Sequence, residues 1–324
     1  GWSAAAPGHW RPSPPRRAPW PPSIRRDRTR GPLAGIRDMR LALVVGTLAL
    51  AQDPAPSWAP ATPLQGSLVR ITVPTSAARP GTAPPTASLA GEPLHFERGP
   101  GSGWTALAAV PLATTDSVSL WLRRPDRGDS VALRIPVALR PTGVERLTTD
   151  TGFTAPLDAA LAARVRRETA RVIASLARSH ERPRLWTDGF RPPRPTRVTS
   201  DFGRGRSFNA GDAQGRHRGM DFAGSRGDPV RAANRGVVVL ADTLFFAGRV
   251  IYVDHGAGIV TAYLHLDRLL VTAGDTVVRG QLIGRVGATG RVTGPHLHWG
   301  AFFGRVAFDP RDLQIGRAPC RERE

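Results

Sequence analysis

The chain is 324 residues long with 45 Lys+Arg against 26 Asp+Glu, a formal net charge of +19, and room for one large or two ordinary domains plus tails. Every basic residue is arginine, alongside 35 Gly and 31 Pro, a bias that follows GC-rich codons before it follows function. The arginines are scattered, with no run of interleaved aromatics, so the charge argues against a nucleic-acid stripe and fits an anionic polymer equally well.

Residues 1–38 are Pro- and Arg-rich with no hydrophobic period, and cannot build a core. Met39 opens a different stretch, in which Arg40 precedes the apolar run Leu41–Leu50 and Ala49-Leu50-Ala51 offers an A-x-A cleavage site. That is the grammar of a secretory signal peptide over 39–51, too short to span a bilayer. Translation is therefore expected to start at Met39, with 1–38 as upstream read-through. No Cys follows the small residues, which argues against a lipid anchor.

A Pro/Ala linker is expected over 52–66. Over 67–142, short alternating runs (Leu68–Val73, Pro93–Phe96, Trp104–Val110, Ser117–Leu122, Val131–Leu139) are punctuated by Gly, Pro and Asp. The spacing predicts a small antiparallel β-sandwich without clustered His, Asp or Glu, in which His95 is an ordinary strand residue. Over 143–194, Leu157, Leu161, Val165, Val172, Ile173 and Leu176 recur at helical spacing. This predicts a connecting helix of about 25 residues with Thr154 as N-cap and Pro156 in the first turn. From 195 to 312 come dense short β-runs separated by Gly, so the chain is expected to be mainly β with a β-rich C-terminal catalytic domain. Residues 315–324 read as the translation of an adapter oligonucleotide. They hold the only cysteine, Cys320, and the remaining chain suits an exported protein without disulfides or a catalytic thiol.

Within the β-rich region, His217 and Asp221 stand at i and i+4 in an extended, Gly-containing stretch, and His296 and His298 at i and i+2, one face of a strand with Leu297 directed to the core. Zn²⁺ takes about four His, Asp or Cys ligands, and a catalytic site leaves one position to water. Two His and one Asp fill three. His265, within Tyr263-Leu264-His265-Leu266, adds a further imidazole, while His255 reads as structural. Tyr263, two residues before His265, either lines the site or packs in the core. The glycines around Gly284, Gly287, Gly290 and Gly294 read as tight turns walling a groove, since no Lys-Ser/Thr follows to make a phosphate loop.

The order of motifs Ser200-Asp201-Phe202-Gly203, Arg206-Ser207-Phe208-Asn209, His217-Arg218-Gly219-Met220-Asp221, Tyr263-Leu264-His265-Leu266 and Gly294-Pro295-His296-Leu297-His298-Trp299 resembles the lysostaphin-type (LytM-like) zinc metallopeptidases. The resemblance covers about 120 residues, and the sandwich and helix resemble the amino-terminal half of secreted members less specifically. It implies a duplicated-hybrid-motif, lysostaphin-like fold, one Zn²⁺ held by His217, Asp221 and His298, and His265 and His296 as unligated catalytic histidines whose separate roles stay open. It also implies a substrate of peptidoglycan peptide stems or cross-bridges and an exported, wall-associated enzyme. Asn209 is either a loop residue near the groove or, as in latent members, an occupant of the open zinc position. A non-catalytic wall-binding activator and a secreted zinc peptidase for other proteins are the alternative functions. Activators of that kind lose metal ligands, and here all three are present.

Overall fold

A computed structural model describes residues 55–75, 83–99, 103–141, 143–209, 211 and 213–314. The expectations for 1–38, 39–51 and 315–324 lie outside the described residues.

The chain is mainly β. Its first half forms two four-stranded sheets: Ser57–Ala59, Leu68–Val73, Trp104–Ala109 and Glu97–Arg98 in one, and Glu92–Pro93, Thr86–Leu89, Ser117–Arg124 and Asp129–Pro136 in the other. The Ser117–Arg124 strand shows why. Val118, Leu120 and Leu122 are buried while Ser119, Trp121 and Arg123 face solvent, the period-2 alternation of a sheet with one covered face. The expected 52–66 linker is partly strand, because Ser57–Ala59 pairs antiparallel with Leu68–Val73 at a sheet edge, where nearby prolines are tolerated, and Trp58 packs on the core. His95 is not in a strand. Its ring stacks on His180, with Nε2 2.9 Å from His180 Nδ1.

The second half is dominated by a ten-stranded sheet in the order Val198–Ser200, Met220–Ala223, His296–Phe303, Ile259–Leu269, Gly248–Gly256, Gly236–Leu244 and Thr276–Val277, with three short strands attached beside that path. Trp299, Phe303 and Phe308 from this sheet share one apolar cluster with Val69, Leu120 and Ile135, so both halves bury their faces in a continuous core. Polar ties reinforce the join: Arg140 pairs with Asp309 at 3.0 Å, and Leu68 N–H donates to Asp312 at 2.8 Å.

The connecting segment differs from expectation at both ends. The helix runs Ala159–Ala177, shorter than predicted, because Asp158 rather than Thr154 caps it, its carboxylate accepting from Leu161 N–H at 2.7 Å. Val172 and Leu176 pack on Leu244, Val250, Tyr252 and Val260 of the ten-stranded sheet. Ahead of the helix, Val144–Leu147 is a strand that pairs in parallel with Gly205–Phe208, itself paired with Ala213–Arg216. Residues 143–194 thus begin as part of a separate three-stranded sheet and are not wholly a helical linker.

One irregularity places a site residue. Arg249 opposes Leu266, yet Ile251 opposes Tyr263, so two residues on the Ile259–Leu269 strand face one on its partner. This β-bulge holds His265 at φ +65°, a left-handed conformation uncommon for a non-glycine residue.

Candidate metal centre

Asp221 and His298 lie directly opposite each other on adjacent antiparallel strands, and Leu264 opposes His298 from the other side. Cross-strand partners share a face, with Cβ atoms about 4.5–5.5 Å apart. On the reverse face Tyr263 opposes Trp299 and Phe222 opposes Leu297, all buried in the core, with Leu297 and Trp299 fully inaccessible. His217 precedes its strand in a loop. That loop is pinned by His217 N–H to Arg204 O at 2.7 Å and by Gly203 N–H to His217 O at 2.8 Å.

The three side chains converge on one point. His217 Nε2, His298 Nδ1 and Asp221 Oδ1 form a triangle with edges of 2.9, 2.9 and 3.0 Å, and all three residues are buried. His217 Nδ1–H donates to Asp201 O at 2.9 Å, which leaves Nε2 as a lone pair aimed into the triangle. Converging lone pairs at this distance repel unless a cation sits among them. A tetrahedral Zn²⁺ with ligand bonds of about 2.0–2.2 Å spaces its donors roughly 3.3 Å apart, so a few tenths of an ångström of expansion seats it. Two imidazole nitrogens and one carboxylate oxygen are also the donor set zinc accepts. The residues fit one Zn²⁺.

Gly219 belongs to this geometry. A Cβ there would lie 2.5 Å from His298 Nε2 and 2.6 Å from Trp299 O, so the loop can pass the second imidazole only without a side chain. Burial pushes the Asp221 carboxyl up, but hydrogen bonds and charge from His217 and His298 outweigh it and hold the group well below the carboxylate range. Burial lowers His298 to about 4, keeping it neutral and able to ligate.

A second ring of contacts orients the ligands, and sequence reasoning missed its key member. Arg206 donates to Asp221 Oδ2, leaving Oδ1 for the metal, and its Nη2 also reaches Ser200 Oγ at 3.3 Å. Ser200 Oγ lies 3.2 Å from His217 Nδ1 and donates to Glu145 Oε2 at 2.8 Å. Glu145 sits with Oε1 3.1 Å from Arg204 Nε and Oε2 3.7 Å from Arg206 Nε. One carboxylate thus backs both a carboxylate ligand, through Arg206, and an imidazole ligand, through Ser200. Arg206 stood inside a recognised motif. Glu145 carried no signal, because it arrives through a parallel strand pairing from a distant segment.

Two further imidazoles stand beside the triangle. His265 Nδ1–H donates to Thr289 O at 2.9 Å and His296 Nδ1–H to Gly294 O at 2.9 Å, so each keeps Nε2 free. Their rings are 5.0 Å apart, His265 is 6.0 Å from the His298 ring, and His296 Nε2 is 3.8 Å from Asp221 Oδ1. Burial, then the charges of His296 and His298, push His265 well below its ordinary range, so it is neutral near pH 7. The bulge makes this arrangement. It turns His265 out of register with Tyr263, whose hydroxyl accepts from Ala233 N–H at 2.8 Å and bonds Thr261 Oγ1 at 2.9 Å. Tyr263 is therefore on the core face, not in the site lining. Asn209 also turns elsewhere: its Oδ1 accepts from Thr149 N–H at 2.9 Å and its Nδ2 donates to Thr154 Oγ1 at 3.0 Å. Its amide braces the 149–154 segment instead of reaching for an open metal position. His255 is sealed in the core, donating from Nδ1 to Arg235 O at 2.7 Å and accepting from Thr261 Oγ1 at 2.8 Å.

Residues 215–310 match the model of Peptidase family M23, a stretch that contains all five of these site residues while leaving Glu145, Ser200 and Arg206 outside. Among curated proteins, the peptidoglycan DD-endopeptidase ShyC of Vibrio cholerae is 39% identical over 122 residues, which is 38% of this chain and 28% of that protein. The peptidoglycan DD-endopeptidase ShyA of the same organism is 44% identical over 103 residues, 32% of this chain and 24% of that protein. The chain thus spans about a quarter of the length of these relatives. A crystal structure from Pseudomonas aeruginosa, described as a candidate peptidase M23, is similar at a TM-score of 0.60 and 28% identity over 78% of this chain and 95% of that one. That likeness extends beyond the matched domain.

Proposed function

We propose that the chain is an exported zinc metallo-endopeptidase that hydrolyses the peptide cross-links of bacterial peptidoglycan. The observation that carries this reading is the lone-pair triangle of His217, Asp221 and His298 with two further imidazole Nε2 atoms beside it. Peptidoglycan is the substrate named for the Vibrio relatives, and a substrate outside the cytoplasm accords with the export signal read at Met39.

Zn²⁺ in the triangle supplies Lewis acidity: it lowers the pKa of a water it binds and polarises the scissile carbonyl. The chain's own residues do the rest. His217, Asp221 and His298 would hold the ion. Arg206, bonded to Asp221 Oδ2, would leave Oδ1 for the ion. His265 and His296, each anchored through Nδ1–H to a carbonyl, offer Nε2 to take a proton from the attacking water; the ring so protonated can hydrogen-bond the developing oxyanion and then return the proton to the leaving amine. Such acid–base action contributes about 10²–10⁴-fold in rate.

The test is metal content of the purified protein together with hydrolysis of isolated sacculi, with released fragments identified by mass spectrometry. One zinc per chain with cross-link cleavage abolished by chelator and restored by zinc is expected. Cleavage indifferent to chelator, or one zinc per chain with intact sacculi, overturns the proposal.

A further inference from the structure

Most of the partly buried arginines in this chain have a carboxylate beside them: Arg124 with Asp129, Arg140 with Asp309, Arg194 with Asp228 and Arg206 with Asp221. Arg291 does not. Its Cζ lies 4.2 Å over the Phe208 ring and 4.9 Å from the Phe246 ring centroid, clamped between two aromatic faces. Its backbone N–H donates to Phe246 O at 2.8 Å, which fixes the loop. No ion pair or side-chain hydrogen bond engages its guanidinium among the described residues. Aromatic faces satisfy the plane of a guanidinium but leave its N–H edge, five donors in a fork that matches a carboxylate, without acceptors. Burial and the positive charge of Arg206 both act against this cation, so an arriving anion gains more here than at a solvated arginine.

Its place is set by two chain connections. Phe208 lies two residues beyond Arg206 on the Gly205–Phe208 strand, a step of about 6–7 Å, and Arg206 touches the metal ligand Asp221. Arg291 also follows by two residues Thr289, whose carbonyl holds His265. The unpaired fork therefore stands beside the strand that carries Arg206 and the loop whose Thr289 carbonyl holds His265. Resting on the proposed function, we infer that Arg291 is a specificity residue that binds a free carboxylate of the substrate peptide.

The experiment has a binding arm and a kinetic arm. Stem peptides that differ only in a free carboxylate or a carboxamide at their terminus are titrated calorimetrically into the zinc-loaded full chain, and cross-linked dimers with the same difference are followed for kcat/KM. The native chain is expected to prefer the carboxylate form by about ten- to a hundredfold in Kd and kcat/KM, the worth of a charge-assisted hydrogen-bonded pair. Arg291→Gln is expected to remove that preference by weakening only the carboxylate form, and Arg291→Lys to restore part of it. Equal loss on both forms in Arg291→Gln, or no preference in the native chain, overturns the inference. Carboxylate-selective peptide binding without cleavage would leave Arg291 standing and sink the endopeptidase reading instead.

Discussion

Removing Glu145 should loosen the metal, although this residue touches none of the metal's ligands directly. In the native chain its carboxylate lies between Arg204 and Arg206 and accepts from Ser200 Oγ. Without it, Arg206 keeps Asp221 as its only carboxylate partner and draws electron density from the oxygen pair that the metal needs. Ser200 also loses its acceptor and is free to shift against His217 Nδ1. Loss of such an orienting partner typically weakens metal binding by about 10–100-fold, or about 1.4–2.8 kcal/mol at tenfold per 1.4 kcal/mol. Glu145→Gln, which keeps an acceptor for Ser200 but removes the charge, belongs near the tenfold end, and Glu145→Ala near the hundredfold end. The assay is competition of the purified full chain against a chromogenic chelator for zinc, with circular dichroism to verify the fold. Zinc affinities within threefold of native for both variants would refute the argument that this segment orients the ligands.

Gly219→Ala should drop zinc below one per chain, because its Cβ falls 2.5 Å from His298 Nε2, and normal zinc stoichiometry would show that the loop yields freely. His265→Ala and His296→Ala should each lower kcat by about 10²–10⁴-fold while retaining zinc; metal loss from either would move that residue into the ligand set. His255 carries a pH prediction. Burial holds it at about 4, whereas the unfolded chain takes up the proton near the ordinary value of about 6.5. Its contribution is thus full above about pH 6.5 and lost as pH falls through that window, up to about 3 kcal/mol by pH 4. Urea unfolding of the metal-free protein at pH 7 and pH 5 should show a loss that shrinks in His255→Gln; an equal loss in both would assign the acid sensitivity to other groups.

The sequence by itself brought out the converging group His217, Asp221 and His298 and the class of fold. His296 and His298 declared themselves because strand alternation is a local property: i and i+2 share a face whatever the rest of the chain does, and Leu297 between them had to enter the core, whereas His217 sits in the loop before the strand of Asp221 and was legible from its H-x3-D spacing. The same local rule failed where the backbone broke it. Alternation put Tyr263 on the face of His265, but a one-residue bulge reverses the pairing, so Tyr263 goes to the core and His265 to the metal side. The helix was legible and its start was not: the chain enters it at Asp158, four residues beyond the expected cap Thr154, where the Asp158 carboxylate accepts from Leu161 N–H. Glu145, the brace on Asn209, and the aromatic clamp of Arg291 were decided by tertiary structure alone. Each depends on contact between segments at least 55 residues apart in sequence, or on two separate strands and loops meeting, and no spacing rule records that. The three converging side chains could be read from their local spacing, whereas the residues that orient them required the Val144–Leu147 strand to find its partner.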